Sequence, residues 1–169
     1  DQNTCSSPHL VLWEGKDDKD IKNLFWKLLS NYVQENYQLP DIGVMDKYEK
    51  SILDSVGNKN LLSIKTYKNN IYVARLKKLD VNIHKLRGKW GYFYESNIEN
   101  IDDLKNFVNI KYQTLSYFGY EYNKISRAIK KNHLLGIDRI VPIGQANNIN
   151  IVWDGIDILT SLTRIISRN

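Results

Sequence analysis

Apolar residues in this chain recur with two different periods, and the changes of period mark out the elements. His9 to Trp13 is a short apolar run, read as a buried strand that Glu14-Gly15 ends. Asp17 or Asp18 can cap a helix. Ile21, Leu24, Phe25, Leu28, Leu29, Tyr32 and Val33 then recur at three and four residues, which predicts an amphipathic helix to about Asn36 with these side chains inward. Pro40 and Gly43 break the chain, and Val44, Tyr48, Ile52 and Val56 mark a second helix that stops at Gly57. Leu61 to Tyr67 and Ile71 to Leu79 read as strands joined by a hairpin at Lys68-Asn69-Asn70, where Asn tolerates positive φ.

Residues 80 to 86 give no clear element, and Trp90 to Glu95 is an aromatic strand. Asn100 and Asp103 form an approximate capping box for a short helix with Ile101, Leu104, Phe107 and Val108 on its apolar face. A strand from Ile110 to Phe118 follows, then a helix from Glu121 to Leu135 that Gly136 terminates. Ile137 to Ile143 is a buried strand closed by Gly144, and Ile149 to Trp153 reads as one more. Gly155 to Ser167 is a last helix, capped by Asp154, with Ile158, Leu159, Leu162, Ile165 and Ile166 inward. Strands alternating with helices predict an α/β fold: three layers, a mainly parallel sheet with helices on both faces, and an antiparallel edge from the hairpin.

Length sharpens this to one domain, residues 1–169, with enough chain for a real core. The 42% hydrophobic and 25% charged content describes a folded chain. The formal charge is +5, but the 24 basic residues lie scattered among 19 acidic ones. That scatter gives no basic stripe of the kind that binds nucleic acid. No apolar run reaches the ~20 residues that span a bilayer. A single cysteine excludes an internal disulfide and points to a reducing compartment, the cytoplasm. The start at Asp1, without Met, predicts a fragment cut at a domain boundary.

That cysteine is the strongest chemical signal. Cys5 stands between Thr4 and Ser6 in a polar loop that Pro8 keeps out of helix, directly before an apolar strand. A structural cysteine more often sits inside an apolar stretch, so this setting suits a nucleophile, which acts as the thiolate. The three histidines are dispersed, so no metal-ligand spacing appears. No Gly-x-Gly-x-x-Gly fingerprint and no phosphate loop is present.

Gln2-Asn3-Thr4-Cys5-Ser6-Ser7-Pro8 resembles the active-site loop of the LuxC-type acyl-CoA reductases, divergent members of the aldehyde dehydrogenase superfamily. Three further stretches resemble the same family in order: Arg87 to Glu95, Gln113 to Gly119, and Asp138 to Ala146 followed by Trp153-Asp154-Gly155. The match runs from end to end of the chain and corresponds to the C-terminal, cysteine-bearing half of such an enzyme.

The resemblance implies an aldehyde dehydrogenase-like catalytic domain that lacks its N-terminal nucleotide-binding domain. It implies NADPH-dependent reduction of a long-chain acyl-CoA to the aldehyde through an acyl-Cys5 thioester, with acyl-CoA or an acyl-carrier or synthetase partner as donor. NADPH would be held mainly by the missing domain, so the fragment alone is expected to be inactive. The Cys5 N–H would be one oxyanion donor. The superfamily's Glu-x-Phe-Gly-Pro motif is absent. Glu95, at a strand end and by default a surface residue, is the surrogate cofactor-binding candidate. Thr4, Ser6, Gln113 and Gly144 are candidate cleft residues.

Two other classes stay open. One is a binding module with an incidental thiol. The other is a cysteine thioester hydrolase using His9, His84 or His133 as base. Homo-oligomerisation is also open.

Overall fold

The structure is a computed structural model that describes residues 2–4 and 6–167. It is mixed α/β and divides into two compact units, residues 1–107 and 108–169.

The first unit is built on four strands, β1 (Leu10–Glu14), β2 (Leu61–Tyr67), β3 (Ile71–Leu76) and β4 (Tyr92–Ile98), in the order β1-β4-β3-β2. The β1–β4 and β3–β4 pairs are parallel, and β2 adds an antiparallel edge through the hairpin. Tyr72, Ala74, Leu76, Tyr92 and Tyr94 form the core on one face, and Ile71, Val73 and Phe93 gather on the other with Trp26. Helix α1 (Lys19–Asn36) covers the Trp26 face, and α2 (Asp41–Gly57) covers the tyrosine face, where Asp54 meets Tyr92 and Tyr94.

Both helices form where the pattern predicts them, yet both are rotated. The buried residues of α1 are Lys22, Trp26 and Ser30. Ile21, Leu24, Phe25, Leu28 and Tyr32, read as inward, are exposed, Leu28 at 58%. In α2 the buried residues are Gly43, Lys47 and Asp54, while Tyr48, Ile52 and Val56 face out. The polar groups turned inward are held by fixed partners. Lys22 Nζ donates to Asp17 (2.6 Å) and Asn97 (2.5 Å), and the Ser30 hydroxyl donates to the Tyr67 carbonyl (3.0 Å). Such bonds offset much of the desolvation that would otherwise keep these side chains at the surface.

Other boundaries shift for local reasons. β4 starts at Tyr92, not Trp90, because Trp90 and Gly91 hold φ of +57° and +86° and turn the chain before the ladder begins. β3 ends at Leu76. At the hairpin Lys68, not an asparagine, takes the positive φ of 53°. The capping box of Asn100 and Asp103 is present, on a 3-10 turn over Ile101–Asn106 rather than an α-helix.

The second unit is sparser. Strands β5 (Thr114–Tyr117) and β6 (Arg139–Pro142) pair in parallel, shorter than the apolar runs suggest. Helix α3 (Tyr122–Lys131) buries Ile125 and Ala128 as expected. It stops before Gly136, at Asn132 and the left-handed His133 (φ +49°), so His133 and Leu135 lie beyond it and exposed. Strands β7 (Val152–Trp153) and β8 (Ile156–Asp157) form a hairpin across Asp154-Gly155, both at positive φ. Asp-Gly is the dipeptide such a two-residue turn favours. The last helix therefore shrinks to α4 (Ile158–Leu162), capped by Asp157 in place of Asp154, with Leu159, Leu162, Ile165 and Ile166 exposed. No helix among the described residues is long and apolar enough to cross a membrane.

Candidate functional site

Cys5, the residue on which the sequence reading turns, lies outside the described residues. Its neighbours are described. Thr4 and Ser7 close a turn by a backbone hydrogen bond of 3.1 Å, and the Thr4 hydroxyl bonds the hydroxyls of Ser7 (2.8 Å) and Ser6 (3.2 Å). Thr4 is exposed and Ser6 half-buried.

Gln2 anchors this loop. It is 8% exposed and takes φ of +64°, a left-handed conformation that a non-glycine residue holds only when its surroundings fix it. Its Nε2 donates to the Pro8 carbonyl at 2.7 Å, so the amide closes its own loop. Its Oε1 accepts from the Gly91 N–H at 3.1 Å. At the end of the loop the His9 carbonyl accepts from Tyr94 N–H (2.9 Å), which leads the chain into β1.

The segment that meets Gln2, Arg87 to Gly91, is itself tightly built. A Cβ on Gly88 would lie 1.7 Å from the Tyr92 carbonyl oxygen, so only glycine fits there. Lys47, 1% exposed, reaches in from α2. Its ammonium donates to the carbonyls of Trp90 (3.0 Å), Asn70 (2.9 Å) and Asn69. Burial pulls its pKa down to about 8. One chain of hydrogen bonds thus links α2, the hairpin turn, the 87–91 segment and the loop before β1. Two of the family-like stretches of the sequence come together here.

His9 is half-buried. Burial first, and then the nearby Arg87 guanidinium, lower its pKa, while a bond to the Gly88 backbone opposes the shift. The imidazole is therefore held toward its neutral form.

Glu95 is neither at a strand end nor at the surface. It sits inside β4, 7% exposed, and its Oε2 accepts from the indoles of Trp13 and Trp26, each at 2.9 Å. Trp13, Phe25 and Trp26 stack edge-to-face around it. Gln113 and Gly144 belong to the second unit. The Gln113 carbonyl accepts from the N–H groups of Asp138 (2.9 Å) and Arg139 (3.2 Å) before β5, whereas Gly144 turns the chain after β6. In a parallel pair these are opposite ends of the ladder. Arg139 stacks 4.0 Å from the Trp153 ring centroid and donates to the carbonyls of Ala146 (2.8 Å) and Asn148 (3.1 Å). The remaining family-like stretches thus gather in the second unit.

Sequence reasoning passed over Gln2, Lys47 and Asp54. Lys47 and Asp54 fall on helix positions that normally face water, and nothing near them in sequence announces their partners. Gln2 carried one signal, its place in a family-like stretch. Among the described residues no cluster of His, Cys, Asp or Glu could hold a metal ion. No family model and no curated protein matches this chain.

Proposed function

We propose that the chain is the cysteine-bearing catalytic region of a LuxC-type acyl-CoA reductase, with the three-layer architecture of the aldehyde dehydrogenase superfamily. The observation that carries this is the Gln2 bridge. It ties the loop resembling the family's active-site loop to the Arg87–Gly91 segment, a second family-like stretch, and both lie at the start of parallel strands β1 and β4. In this reading the Cys5 thiolate attacks the carbonyl of a long-chain acyl thioester. The tetrahedral oxyanion leans on the Cys5 N–H and a second donor from outside this chain. It collapses by expelling the CoA thiolate and leaves an acyl group on sulfur.

Reduction of that group to the aldehyde needs NADPH as hydride donor. Glu95, the candidate contact for that cofactor, is turned into the core and bound by two indoles, so it does not fit that role. The reading therefore assigns the cofactor to a nucleotide-binding domain outside this sequence. The outward apolar faces of α1 and α2 support a further body against this unit, either that domain or a second copy.

Mixing the protein with a long-chain acyl-CoA and mapping acylated peptides by mass spectrometry tests the reading. The label must sit on the peptide holding Cys5, and Cys5→Ser must abolish it. Equal labelling of the serine variant overturns the proposal. The hydrolase reading keeps one observation in its favour, the neutral His9 beside the same loop. It requires thioester turnover without any nicotinamide, and loss of that turnover in His9→Ala.

A further inference from the structure

Beside the 87–91 segment lies a groove of about 280 Å³ between α2 and that segment. Lys47 and Lys50 line it from the helix, and Arg87, Lys89 and Trp90 from the segment. Two carboxylates, Asp46 and Glu49, share the lining. Both are exposed, as are Arg87 and Lys89, so water screens these four charges alike, and Asp46 also accepts a hydrogen bond from the Trp90 indole (3.1 Å). Lys50 is neutralised from below by the buried Asp54 (2.8 Å).

Lys47 is the unusual member. Its three hydrogen-bond partners are neutral carbonyls, so its charge is fixed in place and buried, with no carboxylate in contact among the described residues. A cation in that position projects its field into the groove with little solvent screening. Arg87 and Lys89, both exposed, stand on a segment that Gly88 and the Gln2 and Lys47 bonds hold rigid. A guanidinium fork and an ammonium on a fixed backbone suit the oxygens of a phosphate.

We infer that this groove is a binding site for a phosphate group, carried by a ligand that lies against Trp90 and is held by Arg87 and Lys89 over the Lys47 charge. The site stands whether or not Cys5 is acylated, since it rests on the groove and not on the thiol. Two sources share this chemistry, free inorganic phosphates and a phosphorylated carrier such as CoA, and the probes separate them.

The test is calorimetric titration of the full chain at low salt with inorganic pyrophosphate and, separately, with CoA. At least one should bind with a Kd below about 1 mM, and Arg87→Gln with Lys89→Gln should weaken it about tenfold or more. Binding of CoA alone identifies a carrier, and binding of both identifies the phosphate itself. Lys130→Gln with Lys131→Gln, a basic pair in the other unit, should change nothing. On the unmutated protein, the bound probe should protect Lys89 from amine acetylation and leave Lys130 labelled. No heat with either probe, equal binding by the Arg87/Lys89 variant, or equal weakening by the Lys130/Lys131 variant overturns the site.

Discussion

The two faces of the first sheet bury charge in opposite ways. Under α1, the Lys22 ammonium meets the Asp17 carboxylate, which Arg75 also engages, so cation and anion are matched. On the same face Glu95, with Arg75 opposite it in the β3–β4 ladder, accepts from two neutral indoles. Under α2 the roles reverse. Asp54 combines Lys50 with the phenols of Tyr92 (2.9 Å) and Tyr94 (2.6 Å), and burial with this carboxylate pushes both phenol pKa values up. The charge left with neutral partners is the cation Lys47. One face therefore holds a carboxylate on indole N–H groups and the other an ammonium on backbone carbonyls. The ammonium of Lys47 lies beside an open groove.

Removing each of these groups in turn should break the comparison where it is strongest. Lys47→Met leaves three part-buried carbonyls without this donor and should cost about 3 kcal/mol in urea unfolding, the largest effect of the set. Glu95→Leu orphans the buried Trp26 indole N–H and the half-buried Trp13 one and should cost about 2 kcal/mol, while Glu95→Gln, which keeps an acceptor, should cost about 1 kcal/mol. If Glu95→Leu proves neutral, the indoles have other partners and the two faces are not equivalent.

A pH series sharpens the α1 side. Hydrogen bonds from Lys22, first, and Arg75 hold Asp17 at about 2, down from 3.8. A carboxylate lowered on folding stabilises above its unfolded value. That contribution should be fully present above pH 3.8 and fade as pH falls through 2. Unfolding midpoints across that window should slope less in Asp17→Asn. Salt should shrink the difference, because Asp17 is 35% exposed. The smallest effect should come from Leu24→Gln with Leu28→Gln. On an outward face the pair should change stability by no more than about 0.5 kcal/mol each, against ~2–5 kcal/mol apiece in a core.

That last variant addresses what patterning reveals. The spacing of Ile21, Leu24, Phe25, Leu28 and Tyr32 located α1 and its limits, and Asp18 caps it as expected, accepting from Asp20 and Ile21 N–H groups. Spacing did not reveal which side faces the sheet. The buried side is held by Lys22, Ser30, Lys47 and Asp54, whose partners lie roughly 20 to 75 residues away, at Asn97, Tyr67, Asn70 and Tyr94. Bonds over such separations leave no local trace. Strand β1 was legible because its apolar run is nearly continuous, and the hairpin because Lys68-Asn69-Asn70 separates two such runs, whereas Glu95-Ser96-Asn97 hid the second half of β4. The last helix was overread: Ile158 to Ile166 carries a helical period, but the Asp154-Gly155 turn spends its first residues in a hairpin. For the site, the resemblance drew attention to the loop at Cys5. The means of fixing that loop lay in the Gln2 amide, visible only once Gly91 stood next to it.

Strand β1 has one hydrogen-bonded neighbour, β4, with Leu10 opposite Tyr94. The segment ahead of β1 is thus tied to the sheet by residues that leave the ribosome more than seventy positions later, at Gly91 and Tyr94. During synthesis this segment waits without that tie while both helices and the hairpin form. Closing so long a span is a slow, late event in folding. Exchange protection of the Gly91 amide, which the Gln2 side chain holds, should accordingly mark completion of the sheet, which makes it a reporter for the last step of assembly.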